Sequence, residues 1–392
     1  MTMELPTIAR LAAALVSAML ISFILTPVVK SLAQKMGAID VPKDGRRMHD
    51  HPIPRMGGLA IFLGFLLSAL VFVPMTGAMR GMLLGGVIIV ILGILDDIYA
   101  LPALPKLIVQ IVAATVAVES GNVIQVLSNP NVFSADPYWS LGALSVPVSV
   151  IWIVAITNAV NLIDGLDGLA VGVATISSLT MLVIAMLVSD SLVALTMAAL
   201  AGGCIGFMPY NLNPAKIFMG DTGSTFLGFI LATVSIQGLF KFYTIISFAV
   251  PFLMLGLPLF DTCFAILRRI SKGQNPMSPD RSHVHHRLID MGFNQKQAVA
   301  ILYIISAILG LSAVVLTTSG ALKAMVLLCA LCLAGAIAAK ISMSHAAEHH
   351  DHPEKKEVAD HAAESHDDLR DPPGGGQDGP SGQGAGEPPA DQ

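Results

Sequence analysis

The chain has 392 residues, 54% of them hydrophobic and only 12% charged, with a mean hydropathy of +0.72. A soluble domain carries roughly a quarter charged residues, so neither a water-soluble globule nor a secreted soluble enzyme fits, and a nucleic-acid binder would need a basic face. The net charge of −5 hides two parts: residues 341–392 hold 12 acids and 3 bases, whereas the rest holds 15 acids and 19 bases.

The apolar runs break at charges and Gly/Pro clusters into about eleven candidate spans, given that a spanning helix needs roughly 20 apolar residues. They cover 7–29, 57–75, 81–98, 106–120, 146–160, 168–189, 191–209, 221–240, 244–267, 298–317 and 320–340. The first resembles a secretory signal in length, but it lacks a basic leading region and a small-residue cleavage site, and more spans follow. Pro251 and Pro258 predict a kink in the ninth. The expected fold is therefore all-α, a polytopic integral membrane protein. With the N-terminus outside, the inner side receives fifteen of the body's Lys and Arg residues, and the outer side only Arg10, Arg80, Lys241 and Lys323. This bias sets the orientation and places the C-terminus in the cytoplasm.

The body is expected to run over residues 1–343. The tail, 344–392, is rich in Asp, Glu, Gly, Pro and His and has too little apolar surface to offset the entropy of ordering, so it reads as disordered. Its six histidines suit either a metal buffer or a solvated tail. Cys204, Cys263, Cys329 and Cys332 all sit in apolar runs, where small packing residues explain them better than redox or metal chemistry.

The acids of the body gather on the predicted inner side. Only Glu4, Glu119, Asp136 and Asp190 fall outside. Asp96 and Asp97 end the run VIIVILGILDD. Adjacent carboxylates repel and ask for a cation, for which a divalent metal is the natural candidate; two interfacial acids closing a span is the plainer alternative. In TNAVNLIDGLDGLA, Asn158, Asn161, Asp164 and Asp167 put two amides and two acids within ten residues, the acids spaced to share a helical face. In NPAKIFMGDTGST, Asp221 sits in a Gly-flanked turn that leads into a helix, with Asn211 and Lys216 before it. Phe218 suits a stacked ring or an apolar core position equally.

The last inner loop, DRSHVHHRLIDMGF, holds Arg281, His283, His285, His286 and Arg287. His and Arg suit phosphate oxygens. Zinc is the weaker reading, because no Cys accompanies them and the nearby acids suit a hard ion. A loop that only fixes topology is the plain alternative. The first inner loop adds Arg47 and His49 to a basic, Pro/Gly-punctuated stretch, either a topology signal or a headgroup patch. Carboxylates for Mg²⁺ and bases for phosphates, all on the inner face, fit phosphoryl transfer from a soluble donor to a lipid phosphate.

ILGILDD, NAVNLIDGLDGLA, YNLNPAKIFMGDTGS and HVHHRL, in this order over residues 10–340, closely resemble the polyprenyl-phosphate N-acetylhexosamine-1-phosphate transferases, glycosyltransferase family 4. The resemblance implies an enzyme that uses Mg²⁺, with Mn²⁺ as a substitute, to move a sugar-1-phosphate from a UDP-sugar to undecaprenyl phosphate at the bacterial inner membrane, among membrane lipids. It implies Asp96 and Asp97 as the paired acids for metal and lipid phosphate, Asp221 as the metal acid, and Asp164, Asp167 and Asn161 at the nucleotide. Phe218 corresponds to the aromatic near uracil, with Asn211 in the same wall. Lys106 and Gln110 match a K-x-x-x-Q, and His285 and His286 the histidines of the last loop. Arg47 and His49 from the first loop and His283 from the last join the substrate-binding set, while Arg287 joins Asp96, Asp97, His285 and His286 in the catalytic set.

H-x-H-H-R resembles the GlcNAc-1-phosphate transferase branch, which starts surface polysaccharides such as O-antigen, rather than the phospho-MurNAc-pentapeptide translocases with three consecutive histidines. Eleven spans suit that branch; the translocases have ten. Another UDP-HexNAc or the translocase reaction are the alternatives. An ion-coupled transporter would put acids near the midplane and show a repeat, and a non-catalytic relative would have lost one of the three key acids. A homodimer is left open. Deleting residues 345–392 is expected to leave turnover in membranes within about twofold, because the tail has no apolar face to pack on the body; a large loss of kcat at equal expression would make the tail part of the machine.

Overall fold

The computed structural model describes residues 5–41, 51–128, 138–238, 246–271, 273 and 283–319. Arg47, His49, Arg281, Cys329, Cys332, the predicted span 320–340 and the expected tail with its boundary at 343/344 lie outside the described residues.

Helices dominate. α1 (Leu5–Met36), α2 (Gly58–Phe72), α3 (Gly77–Tyr99) and α4 (Ala103–Glu119) come first. A 3-10 turn at Gly142–Leu144 leads into α5 (Ser145–Leu162), then α6 (Leu169–Leu187), α7 (Ser191–Asn211) and α8 (Gly220–Gly238). α9 (Ile246–Met254), α10 (Gly256–Ser271), the short α11 (Val284–Asp290) and α12 (Gln295–Ser319) follow. Polar side chains start three of them: Thr76 accepts from the Met79 N–H before α3, Asp190 from the Val193 N–H before α7, and Asn294 from the Gln297 N–H before α12.

Six helices among the described residues are long and apolar enough to cross a membrane: α1, α3, α5, α6, α7 and α12. α2 is apolar but only 15 residues long. α8 is not among the six, and its burial gives the reason. Every residue from Thr222 to Gly238 is buried, including Thr222, Ser224, Thr225, Thr233, Ser235 and Gln237. An interior helix meets protein on all sides, so it can carry hydroxyls and amides that a lipid-facing helix would not. α3, α5 and α2 pack around it.

The expected ninth span divides into α9 and α10. Pro258 has no N–H to give to the Met254 carbonyl one turn back, so the ladder opens there. The Ser177 hydroxyl of α6 donates to that carbonyl at 3.0 Å, satisfying it from a neighbouring helix.

The all-α expectation needs one amendment. Among the described residues there are two short antiparallel pairs: β1 (Ile39–Asp40) with β2 (Ile53–Pro54), and β3 (Val126–Ser128) with β4 (Tyr138–Ser140). β1–β2 closes the first loop with Ile39 opposite Pro54. The chain beyond β2 then pairs with the entry to α8: Phe218 N–H donates to Pro54 O at 2.8 Å, and Gly57 and Gly58 N–H to Phe218 O and Met219 O, both at 2.9 Å. The chain from β2 to the start of α2 is thereby fixed to the entry of α8.

Glycines set how closely the helices approach around α8. A Cβ on Gly93 of α3 would overlap the Thr222 backbone, and one on Gly58 of α2 would overlap Gly223. Gly93→Ala is therefore expected to lower the melting temperature of the detergent-solubilised protein, with overpacking of this kind costing about 1–3 kcal/mol. Gly77→Ala on the same helix, where a Cβ meets only ordinary contact, is the control and is expected to melt as wild type. Equal melting of both variants would contradict the close crossing.

Candidate active site

One end of the helix set collects the candidate residues. The C-terminal ends of α3, α5 and α7 meet the N-terminal ends of α2, α4, α6 and α8 there, so residues distant in sequence become neighbours.

The start of α8 is the centre. Asp97, on the last turn of α3, reaches across 124 residues of sequence. Its Oδ1 accepts from the Asp221 N–H at 2.9 Å, and its Oδ2 from the Thr222 N–H at 3.1 Å and the Thr222 hydroxyl at 2.6 Å. A carboxylate here satisfies orphan amides of the first turn and meets the positive end of the helix dipole. Gly220, with φ +71, makes the turn, and any Cβ on it would strike the Asp97 carboxylate. Asp97 is 7% exposed.

Asp96 turns the other way. Its Oδ1 accepts from the Leu101 N–H at 2.7 Å, and its Oδ2 pairs with Lys106 Nζ at 2.9 Å. The same ammonium lies 3.3 Å from Asp221 Oδ2. The repulsion expected between the adjacent acids is thus relieved by the protein itself: Lys106 for one, the α8 terminus for the other. Asp221 Oδ1 accepts from the Asn161 amide at 3.1 Å, and that amide also donates to Ser224 at 2.8 Å. Asp96, Asp97, Lys106, Asn161 and Asp221 form one connected network.

Beside it lies a cavity of about 310 Å³. Asn161, Asp164, Asp167, Asn211 and Phe218, all expected at substrate, line it together with the expected metal acid Asp221 and the expected catalytic His286. Burial, reinforced by the charge of Asp221 and opposed by Arg55, pushes the Asp164 carboxyl up to about 7. Asp167 also holds the wall in place: its Oδ2 accepts from Asn213 Nδ2 at 2.9 Å and from the Ala215 N–H at 3.0 Å. Asn211 gives its amide to Ile217 O at 3.0 Å and keeps a buried carbonyl oxygen without a hydrogen bond.

Four expected substrate or catalytic residues lie off both the network and this cavity. Gln110 is 5% exposed and exchanges hydrogen bonds with Asn158 between α4 and α5, at 2.7 and 3.4 Å. His283 is buried against Asp261, with its Nδ1 2.8 Å from Asp261 Oδ2. His285 packs over Gly165, and burial, with His286 beside it, lowers it to about 4. It is uncharged at neutral pH, so it offers no cation to a phosphate. Arg287 is exposed on α11. Of the last-loop histidines, His286 is the one lining the cavity.

Residues that the sequence motifs leave out also reach the site. Arg55 and Asp40 line the cavity, 4.0 Å apart, brought there by the β1–β2 pairing, and Gln295 joins them from the start of α12. Thr222 completes the Asp97 interaction. Asp261 carried a usable signal, an acid inside the apolar run GLPLFDTCF, where ionised groups are costly.

The sequence pattern of glycosyl transferase family 4 matches residues 79–239, from α3 to the end of α8. A Bacillus subtilis (strain 168) protein named "Probable undecaprenyl-phosphate N-acetylglucosaminyl 1-phosphate transferase" is 42% identical over 79% of this chain and 86% of its own. A Mycobacterium tuberculosis (strain ATCC 25618 / H37Rv) decaprenyl-phosphate N-acetylglucosaminephosphotransferase is 37% identical over 74% and 78%. A Thermotoga maritima undecaprenyl-phosphate alpha-N-acetylglucosaminyl 1-phosphate transferase is 34% identical over 68% and 78%. The matched segment holds the whole network around Asp221, and the likeness runs through most of each chain: this protein belongs to glycosyl transferase family 4.

Proposed function

We propose that this protein moves N-acetylglucosamine-1-phosphate from UDP-GlcNAc to undecaprenyl phosphate, releasing UMP and leaving undecaprenyl-diphospho-GlcNAc. It does so from the cytoplasmic face of a bacterial inner membrane, as an eleven-span protein with its N-terminus outside; the Lys and Arg bias supports that orientation. The observation that carries the reading is Lys106 between Asp96 and Asp221, at the edge of a cavity lined by acids, amides, Phe218 and His286. The names of the relatives support both substrates.

In this reading the nucleotide lies in the cavity. Phe218 stacks on uracil, and the free carbonyl of Asn211 accepts a donor group of the nucleoside. Arg55 and His286 meet the pyrophosphate. Lys106 draws the lipid phosphate to the opposite side of Asp221. One of its oxygens attacks the phosphorus that bears the sugar. The bond from that phosphorus to the bridging oxygen breaks, and UMP leaves with the electron pair. Proximity and charge neutralisation supply the rate. Asp97 is no nucleophile here, since both its oxygens accept hydrogen bonds from the start of α8.

The residues fit a magnesium ion. Among the described residues no three His, Cys, Asp or Glu side chains converge on one point. Mg²⁺ is usually held by one or two carboxylates with waters and substrate phosphates. The Asp221 carboxylate would hold it, with waters and substrate phosphate oxygens as the other ligands, and the Lys106 ammonium 3.3 Å from Asp221 Oδ2 supports a cation beside that carboxylate. When bound, the ion neutralises pyrophosphate charge and polarises the bond that breaks; Mn²⁺, another oxygen-seeking ion, would substitute.

Purified protein with undecaprenyl phosphate, Mg²⁺ and a panel of UDP-sugars tests the reading through UMP release. UDP-GlcNAc is expected to turn over fastest. Preference for another UDP-HexNAc or for UDP-MurNAc-pentapeptide would reassign the donor, and no UMP release from any of them would sink the reading. Asp221→Asn is expected to cut kcat by about 100-fold or more, as loss of a metal ligand does, while the protein still inserts. Wild-type turnover by this variant at limiting Mg²⁺ would contradict the assignment.

A further inference from the structure

α10 has two faces. Phe260, Phe264, Leu267 and Ile270 are exposed on one, between 57% and 65%. On the other, Asp261 is 5% exposed and faces the last inner loop. An acid this deeply buried needs partners, and Asp261 has two. Its Oδ2 lies 2.8 Å from His283 Nδ1, and its Oδ1 accepts from the Val284 N–H at 2.8 Å. Both partners lie at the point where the described chain enters α11.

From this anchor the loop is built outward. The His283 ring stacks on His285 with centroids 5.8 Å apart and planes within 7°. His285 fills the space over Gly165, where even a single Cβ would overlap its ring. His286 follows, 4.3 Å from His285, and reaches the cavity wall. Val284 and Leu288, one turn apart, pack against the core. The apolar pair fixes the depth of α11. It does not fix the rotation that brings His286 to the cavity, and the carboxylate of Asp261 supplies that second constraint by holding a ring and an amide at once.

We propose that Asp261 and His283 form a buried clamp that sets His286 at the donor cavity, making Asp261 a positioning residue for donor binding. The proposal rests on the function argued above. It gives His283 a structural role, because a nitrogen turned to a carboxylate carries the proton and is unavailable to substrate. Asp261 touches no substrate and acts through the loop.

The test compares Asp261→Ala, Asp261→Asn and His283→Asn in the full chain. Asp261→Ala leaves His283 and the Val284 amide buried without partners. It is expected to raise the KM for UDP-GlcNAc about tenfold or more, since small misplacements at a site cost that much. The KM for undecaprenyl phosphate is expected to stay at the wild-type value. Asp261→Asn keeps an oxygen for the Val284 N–H and offers an N–H to the other tautomer of His283, so the donor KM is expected to recover to within about threefold. His283→Asn, whose amide mimics the Nδ1–H, is expected to behave likewise and carries the test if Asp261→Ala fails to insert.

An Asp261→Asn variant as impaired as Asp261→Ala, or equal changes in both KM values, would overturn the clamp. Nitrogen NMR of labelled histidines gives a readout independent of turnover: the His283 signal is expected as the Nδ1–H form in wild type and altered in Asp261→Asn. A His283 with Nδ1 unprotonated in wild type would overturn the proposal directly. A wild type that shows the clamp but releases no UMP would remove the proposed function and leave the clamp standing.

Discussion

The carboxylate of Asp97 on the first turn of α8 is the interaction on which the site depends. α8 is buried along nearly its whole length, so its N-terminal amides need partners from within the protein. Asp97 supplies them from the end of α3. That contact sets the position of Asp221, and Asp221 in turn meets Lys106 and Asn161. The glycines at 58, 93 and 220 let the three helices come close enough for it to form. Loss of the contact would leave two buried backbone donors and a buried carboxylate unpaired together, which is why the paired acids are structurally costly to change whatever their chemical part.

The two adjacent acids consequently have different surroundings. Asp96 is tied to an ammonium that also meets Asp221, whereas Asp97 is tied to backbone and hydroxyl donors. Both lie at the C-terminal end of α3, where the helix dipole disfavours negative charge. Each is stabilised by groups from another helix, so α3, α4 and α8 are held together by the same charges that form the site. A carboxylate with both oxygens engaged is a poor nucleophile, and the acceptor phosphate is already an anion at neutral pH. The direct transfer proposed above rests on these two arguments together.

Much of this was legible in the sequence because membrane helices impose simple rules. Acids and amides near apolar runs are expensive, so Asp96, Asp97, Asn161, Asp164, Asp167 and Asp221 stood out, and the structure brings them to one end of the helix set. What stayed hidden depends on pairing between distant segments. Nothing local in LGILDD distinguishes the acid that meets a lysine from the one that caps a helix. Arg55 reads as one more basic loop residue until β1–β2 and the Phe218–Pro54 hydrogen bond carry it to the cavity. Gln110 matches a spacing, but a helix turn points it at Asn158. The histidines form one cluster in sequence, yet they separate in space into a buried anchor, an uncharged packing ring and a cavity residue. The ninth span divides because Pro258 frees a carbonyl, and only the packing of α6 against it brings the Ser177 hydroxyl that satisfies it.

Isotope exchange without acceptor tests the central claim most directly. Enzyme, Mg²⁺, UDP-GlcNAc and labelled UMP are incubated under rigorously lipid-free conditions. If Asp97 holds α8 and the lipid phosphate is the nucleophile, no label enters UDP-GlcNAc until undecaprenyl phosphate is added. Label appearing in UDP-GlcNAc without lipid would mean that the protein itself takes up the phospho-sugar, and the assignment of Asp97 as the support of α8 rather than a nucleophile would be contradicted.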